Sequence, residues 1–400
     1  MAHAQGTTVA VGGALQDGNA EVWQRLVNLV QTPADDKACY SVITIASGEP
    51  DEAAARVASN LAKHGGRGEH LRTEPRIEPR IQPRIPGQDV RASMADPKWI
   101  AQLQRCRGIF MTGGAQARLL DALQPQGQAT PLLLAMRDIW RAGGVVAGTS
   151  AGAAVLSSVV FRDAPEPLSV MKGQLRQGQE WEIGFGFVQP GLVIDQHAVR
   201  RGRIARLLPL MQAQRATLGM AVEENSAAIF QGTQMQVLGG RGVLVADTTD
   251  SPPPAPGAFN LRNATLHWLE SGDGFDLATR SPLPSARKLA GSKLLPLSPR
   301  HRGYLPGAWF YADMLGDSVI VTAMTRLVDG DQRELRGLAF AAHPTAADSA
   351  PDLAFEWRLW LDTGTRGWLV NNPDAYTLAG VRLDIVPVRL QRPLYQPILP

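Results

Sequence analysis

A parallel α/β sheet sandwiched by helices is the architecture that this 400-residue sequence predicts, on three observations. Short apolar runs at Thr7–Val11, Tyr40–Ala46, Gly108–Thr112, Val145–Ala147, Leu192–Ile194 and Met220–Val222 have the length and unbroken hydrophobicity of strands buried on both faces. Helical periodicity fills intervals between them at Ala20–Gln31, Asp51–His64, Ala115–Leu123 and Pro131–Ala142, as crossover connections require. Polar glycine turns, Gly12-Gly13, Gly113-Gly114 and Gly148-Thr149, follow three of the strands, which places them on the carboxyl edge where such sheets carry their sites.

After Ala227 the pattern turns β-rich and hairpin-like, with a rigid loop at Pro252–Pro256. From about residue 286 it is mixed α/β or β-rich, with turns at Asp329-Gly330 and Asp362-Thr363-Gly364. Trp309, Trp357, Trp360 and Trp368 lie among aliphatic residues there, a core pattern rather than a ligand platform. We therefore divide the chain into a catalytic unit, 1–285, and an extension, 286–400. The extension covers the catalytic unit, mediates dimerisation or holds a polymer, alternatives that the sequence leaves open.

Composition sets the broad class. With 44% hydrophobic and 19% charged residues the chain can bury one large core and a smaller one. A net charge of +3, with no basic stripe carrying interleaved aromatics, gives no support for nucleic acid as a partner. Two cysteines, Cys39 and Cys106, supply neither a disulfide framework nor zinc-ligand spacing, and both are expected to pack as small hydrophobes. No metal or cofactor is expected. No run approaches the roughly eighteen apolar residues of a membrane span, so a soluble, cytoplasmic protein is expected. The alternative is export, with Ala2-His3-Ala4-Gln5 as the remnant of a removed signal.

The chemistry concentrates in GGVVAGTSAGAA, residues 143–154. It places Ser150 in a G-x-S-x-G turn directly after an apolar strand. Gly148 and Gly152 remove the Cβ atoms that would collide at a sharp strand-to-helix bend, and such a bend exposes the hydroxyl at the sheet edge. The same bend aims helix N–H groups at the reacting centre, which makes Ala151, with Gly114 in the neighbouring turn, a candidate oxyanion donor.

A serine nucleophile needs a base. Of seven histidines, His197 alone follows an apolar strand within a polar cluster, Asp195-Gln196-His197. The third member should be a carboxylate that fixes the imidazole tautomer. Glu223 and Glu224 end the Gly219–Val222 run; adjacent residues point to opposite faces, so one of the two can meet His197, and the residues alone do not choose between them. The order serine, histidine, acid differs from the serine, acid, histidine order of α/β-hydrolases.

Taken together, GTSAGA at 148–153, DQH at 195–197, the following Arg201, Arg203 and Arg206, GGAQ at 113–116, VEENSA at 222–227 and LHWLESGDGFDLATR at 266–280 resemble cyanophycinase. That family belongs with the aspartyl dipeptidases among serine peptidases, and the similarity spans about residues 6–285. The resemblance implies Ser150 as nucleophile, His197 as base and Glu224 rather than Glu223 as the orienting acid. It also implies that Gln116, Asp195, Gln196, Arg201 and Arg203 line the substrate site. The implied reaction is hydrolysis of cyanophycin, a polyaspartate carrying arginine on each β-carboxyl, to β-Asp-Arg dipeptides. Guanidinium groups suit the capture of its carboxylates, and acidic or amide side chains suit its arginines. Small aspartyl peptides are the alternative substrate, and a non-catalytic polymer-binding protein the alternative class. A second copy of the chain is the expected protein partner.

Three features depart from the family pattern. Glu223 stands where relatives usually carry Asp. Residues 72–86, RTEPRIEPRIQPRIP, form a Pro-Arg-Ile repeat whose prolines forbid a regular helix and predict an extended surface insertion. The extension after residue 285 is absent from shorter members. Class I glutamine amidotransferases share the layered architecture but need cysteine in the elbow, where Ser150 stands.

Overall fold

The computed structural model describes residues 6–31, 37–72, 94–307, 310–346, 348–394, 396 and 398. Most of the Pro-Arg-Ile repeat, Trp309 and the Ala2–Gln5 segment lie outside the described residues.

In chain order the strands are β1 (Thr7–Val11), β2 (Tyr40–Ile43), β3 (Gly68–Leu71), β4 (Gly108–Met111), β5 (Val145–Thr149), β6 (Val159–Phe161) and β7 (Trp181–Ile183). They continue as β8 (Leu192–Gln196), β9 (Leu218–Val222), β10 (Ser226–Gln231), β11 (Gln234–Gly239), β12 (Val243–Asp247), β13 (Leu261–Leu269), β14 (Gly274–Asp276) and β15 (Ser281–Leu283). The carboxyl-terminal region adds β16 (Ser292–Leu294), β17 (Phe310–Tyr311), β18 (Glu334–Ala339), β19 (Leu353–Val370) and β20 (Ala375–Arg389).

Two nine-stranded sheets result, and β6 and β7 form a separate pair. The first runs β15-β14-β11-β10-β1-β5-β4-β2-β3, parallel from β1 through β3. The second runs β17-β18-β19-β20-β13-β12-β9-β8, with β16 beside β19. The α/β class stands, but Leu192–Ile194 and Met220–Val222 do not extend the parallel sheet. After β9 the chain turns back at Glu223–Asn225, and β10 takes the open edge of β1 antiparallel, Val11 facing Ala227. Strands β8 and β9 are left to pair with each other and, through β12, with a second sheet.

Period-two alternation distributes the side chains into three layers of core. On the first sheet Val9, Val11, Val42, Phe110 and Ala147 face the helices Ala20–Val30 and Pro50–Lys63. Ala10, Ile43, Ile109, Met111 and Val146 face inward, where they meet Ile194, Met220, Val222, Val243 and Val245 of the second sheet. On that sheet's outer face Val193, Ala221, Leu244 and Ala246 pack under the helices Ile204–Ala213 and Val319–Val328. The first helix shows why the local sequence suffices: Val22, Trp23, Leu26, Val27 and Val30 share one buried face, and Asn19 Oδ1 caps it by accepting from Val22 N at 3.2 Å. Strand β2 stops at Ile43, short of the expected Ala46, because the Ala46 carbonyl leaves the ladder to accept from Ala115 N at 3.0 Å in the Gly113–Gln116 turn.

Strands from both sides of residue 285 share the second sheet. The long hairpin β19–β20 pairs onto β13, with Trp357 fully buried and Trp368 largely so. Trp360 lies half-buried under the Arg358 guanidinium, 5.6 Å from its ring centre. Lys288 Nζ locks the junction, donating to Asp273 Oδ2 (2.9 Å), Glu270 Oε2 (3.3 Å) and the Tyr376 carbonyl (2.6 Å). Among the described residues no helix is long and apolar enough to cross a membrane.

The cysteines correct the sequence reading. Cys39 and Cys106 are bonded to each other, 67 residues apart in sequence. Cys39 directly precedes β2 and Cys106 lies two residues before β4, its neighbour in the sheet, and this pairing in space is invisible to residue spacing. Replacing either by serine, or reducing the bond, is expected to lower stability by about 2–4 kcal/mol, chiefly by relaxing the unfolded chain. Thermal unfolding with and without reductant measures it; an unchanged midpoint would show that the bond contributes nothing.

Candidate active site

The carboxyl end of β1 organises the site. Its last carbonyl and the two that follow, Val11 O, Gly12 O and Gly13 O, accept in turn from Ser150 N (3.0 Å), His197 N (2.9 Å) and Asn225 N (2.8 Å). Segments far apart in sequence are thereby pinned to one three-residue stretch. Gly13, at φ 101°, lies flat against the His197 imidazole, and a Cβ there would overlap the ring.

Ser150 follows β5 as the cap of the short helix Ala151–Ala154, with φ 52° and ψ −114°. A non-glycine residue held there is strained, and the strain turns the hydroxyl out of the strand. The bend closes because Gly148 lies against the Gly152 carbonyl and Gly152 against the Met111 carbonyl, leaving no room for a Cβ at either.

Ser150 Oγ lies 2.9 Å from His197 Nε2, and His197 Nδ1 lies 2.6 Å from Glu224 Oε1. The Glu224 carboxylate only accepts, so Nδ1 carries the proton and Nε2 offers its lone pair to the serine hydroxyl. Burial holds the His197 imidazolium below the ordinary histidine range; the Glu224 bond opposes this, and the Arg201 and Arg203 charges add to it. Burial alone would push the Glu224 carboxyl up, but its bond to His197 and the charges of His197, Arg200 and Arg201 bring it below the usual glutamate value. Near neutral pH the histidine is therefore free to accept a proton beside a charged carboxylate.

The two glutamates, between which residue types alone did not choose and of which the resemblance implied Glu224, are held by different partners. Glu224 faces His197. Glu223 is buried rather than solvated: its Oε2 accepts from Val199 N (2.6 Å) and Arg200 N (2.9 Å), and its Oε1 from Glu224 N (2.8 Å). It braces the loop that carries the histidine.

The remaining residues singled out in the sequence fall into two groups. Asp195 is 2% exposed, and both its oxygens are held by Arg206, at 2.7 Å from Nε and 2.6 Å from Nη2. Arg206 is thus a buried partner rather than a solvated helix-face residue, and its guanidinium also covers the Phe161 ring. Arg203 donates through Nη1 to the Gln196 carbonyl (3.0 Å) and Gln196 Oε1 (2.8 Å). Burial first, then the Arg206 charge, lowers its pKa to about 10. These four form a buried polar support behind the histidine loop. In the second group Arg201 is half-exposed beside Glu224, with Nη2 3.4 Å from Oε1. Gln116 is buried, its Nε2 3.5 Å from the Asp163 carbonyl. The exposed Gly114 lies one residue beyond Gly113, where a Cβ would sit 3.1 Å from Ser150 Cβ. Ala151 opens the helix after Ser150, so its N–H belongs to the first turn, whose donors have no partner within the helix.

Arg200 went unnoticed in the sequence. Its Nη1 donates to Glu224 Oε2 at 2.8 Å. A doubled arginine after a strand end reads as solvated charge, and no local signal marks which of the two turns inward.

Residues 9–238 match peptidase family S51. The chain is 30% identical over 289 residues to a cyanophycinase of Synechococcus elongatus, covering 69% of this chain and 80% of that one. It is 32% identical over 198 residues to a cyanophycinase of Trichormus variabilis, covering 48% and 63%. A crystal structure of a peptidase from an acI-B1 Actinobacterium superposes with a TM-score of 0.48 at 18% identity, covering 68% of this chain and 98% of that one. A matched region of this extent, with a serine at the elbow, shows that this chain belongs to peptidase family S51 and is a serine-type peptidase.

Proposed function

We propose that this protein hydrolyses cyanophycin to β-Asp-Arg dipeptides through an acyl-enzyme on Ser150. The observation that carries the reading is the unbroken path Ser150 Oγ, His197 Nε2, His197 Nδ1, Glu224 Oε1, with contacts of 2.9 and 2.6 Å. Ser150 Oγ attacks the scissile carbonyl while His197 Nε2 takes its proton and then delivers it to the leaving amine. Glu224 holds the ring and stabilises the imidazolium, and water releases the acyl group by the same route. The Gly114 and Ala151 N–H groups receive the oxyanion.

The relatives' name supplies the substrate class, and the surrounding charges suit it. Arg201, half-exposed and held less closely by Glu224 (3.4 Å) than Arg200 is (2.8 Å), captures a substrate carboxylate; Gln116 offers its amide for the arginine side chains. Asp195, Gln196 and Arg203, buried and with their polar groups already engaged, act by holding this wall rather than by touching substrate.

Incubating the purified protein with insoluble cyanophycin and identifying soluble products by mass spectrometry tests the reading. β-Asp-Arg is expected; cleavage confined to small aspartyl peptides, or binding without cleavage, overturns it. Arg201→Lys should lower kcat/KM on the polymer by about 5- to 100-fold, since lysine lacks the planar fork, yet barely affect a small activated ester. Arg203→Lys should affect both substrates in proportion, through lost support of Gln196. Equal behaviour of the two variants would remove Arg201 from the substrate.

A further inference from the structure

We propose that Arg200 is a positioning residue for Glu224 and that Asp317, supplied by the carboxyl-terminal region, holds Arg200 in that role. The proposal rests on the Ser150–His197–Glu224 reading and extends it to a part of the chain far from the family motifs.

Glu224 uses its two oxygens differently: Oε1 meets His197 Nδ1 at 2.6 Å and, more distantly, Arg201 Nη2 at 3.4 Å, whereas Oε2 meets Arg200 Nη1 at 2.8 Å. A carboxylate held at one oxygen can still rotate about its last bond. A second contact fixes its plane and keeps Oε1 on the imidazole. Yet the Arg200 side chain is 50% exposed, so solvent alone would leave it many rotamers. Asp317 supplies the restraint. Its Oδ2 lies 3.9 Å from Arg200 Nε, and its Oδ1 lies 3.7 Å from Arg241 Nη1, so the carboxylate sits between two guanidinium groups.

The backbone delivers Asp317 to this place. Met314 N donates to the Leu338 carbonyl of β18 at 2.8 Å, and the Met314 side chain is buried in the outer core. On the other side Ser318 N reaches the Val199 carbonyl of the histidine loop at 3.4 Å. Leu315 packs on Gly202, where a Cβ would overlap the leucine backbone. The segment 314–318 is thus anchored to a strand of the extension at one end and to the catalytic loop at the other. Asp317 itself is 53% exposed and fills no core position.

The charge of Arg200 has a signed consequence. It draws on part of the Glu224 negative charge that would otherwise stabilise the His197 imidazolium. With the Arg201 and Arg203 charges still in place, removing Arg200 lets more of that charge act on the ring, raises the pH at which the histidine protonates, and moves the acid limb of activity to higher pH.

The test uses the full chain and two readouts independent of the polymer, labelling of Ser150 by a fluorophosphonate and turnover of an activated ester across the acid limb. Arg200→Gln is expected to slow both by about tenfold and to shift the limb to higher pH, while Arg200→Lys keeps the limb near its original position with only part of the rate. Asp317→Ala is expected to cost about threefold alone and nothing further in the Arg200→Gln background, because it acts through that residue. The same factor lost in both backgrounds, no loss in either, or a slower Arg200→Gln enzyme with an unmoved limb would overturn the proposal. Undiminished labelling of Ser150→Ala would instead overturn the triad reading beneath it.

Discussion

Replacing Ser150 with alanine is expected to lower hydrolysis by at least about a thousandfold while leaving the protein folded. The hydroxyl faces His197 Nε2 at 2.9 Å, and among the described residues it makes no other side-chain hydrogen bond. Its removal therefore takes away the reacting atom and leaves no buried partner unsatisfied apart from the ring nitrogen. The backbone sharpens the test. At φ 52° and ψ −114° a residue with a Cβ is strained, so Ser150→Gly should be as inactive as Ser150→Ala and more stable by about 1 kcal/mol. Turnover and thermal unfolding of the two variants separate the consequences. Near-parental turnover of Ser150→Ala would end the nucleophile assignment, and a Ser150→Gly variant less stable than the parent would show that the elbow stores no strain.

The two adjacent glutamates should fail in different ways. Glu224→Gln keeps the shape but loses the charge, and an amide can present its NH2 to Nδ1, favouring the tautomer in which Nε2 no longer accepts from serine. A loss of about 100- to 10,000-fold in kcat is expected, with little change in unfolding. Glu223→Gln should be primarily a stability defect. Its three backbone donors, Val199 N, Arg200 N and Glu224 N, need two accepting oxygens, and a glutamine must turn its NH2 toward at least one of them. The expected cost is about 1–3 kcal/mol. Activity of Glu223→Gln is expected to be retained better than that of Glu224→Gln at temperatures where both are folded. The pH profile adds a third reading: in the parent, kcat/KM should fall with acid around a midpoint below the ordinary histidine value of 6.5, because burial holds the imidazolium down. Equal kinetic losses with equal stabilities for the two glutamate variants would show that the structure does not divide their roles.

Local physics made much of the catalytic half legible. Apolar runs bounded by glycine turns marked β1, β4, β5, β8 and β9 to within a residue or two, because strands buried on both faces leave an unbroken hydrophobic record. The elbow was legible for a similar reason, since the backbone contacts at Gly148 and Gly152 exclude a Cβ. Other properties reside in pairings between distant segments and leave no local trace. Strands β8 and β9 look parallel and buried in either sheet; the turn that gives β10 the edge of β1 decided which sheet holds them. The Cys39–Cys106 bond required β2 and β4 to be neighbours. Which glutamate meets His197, and which braces its loop, depended on the carbonyls of Val11, Gly12 and Gly13 drawing three chain segments to one point. Tertiary structure alone turned Arg206 into the buried partner of Asp195 and brought Asp317 to Arg200, because the sequence records the charge of an arginine but not the carboxylate that the fold sets opposite it.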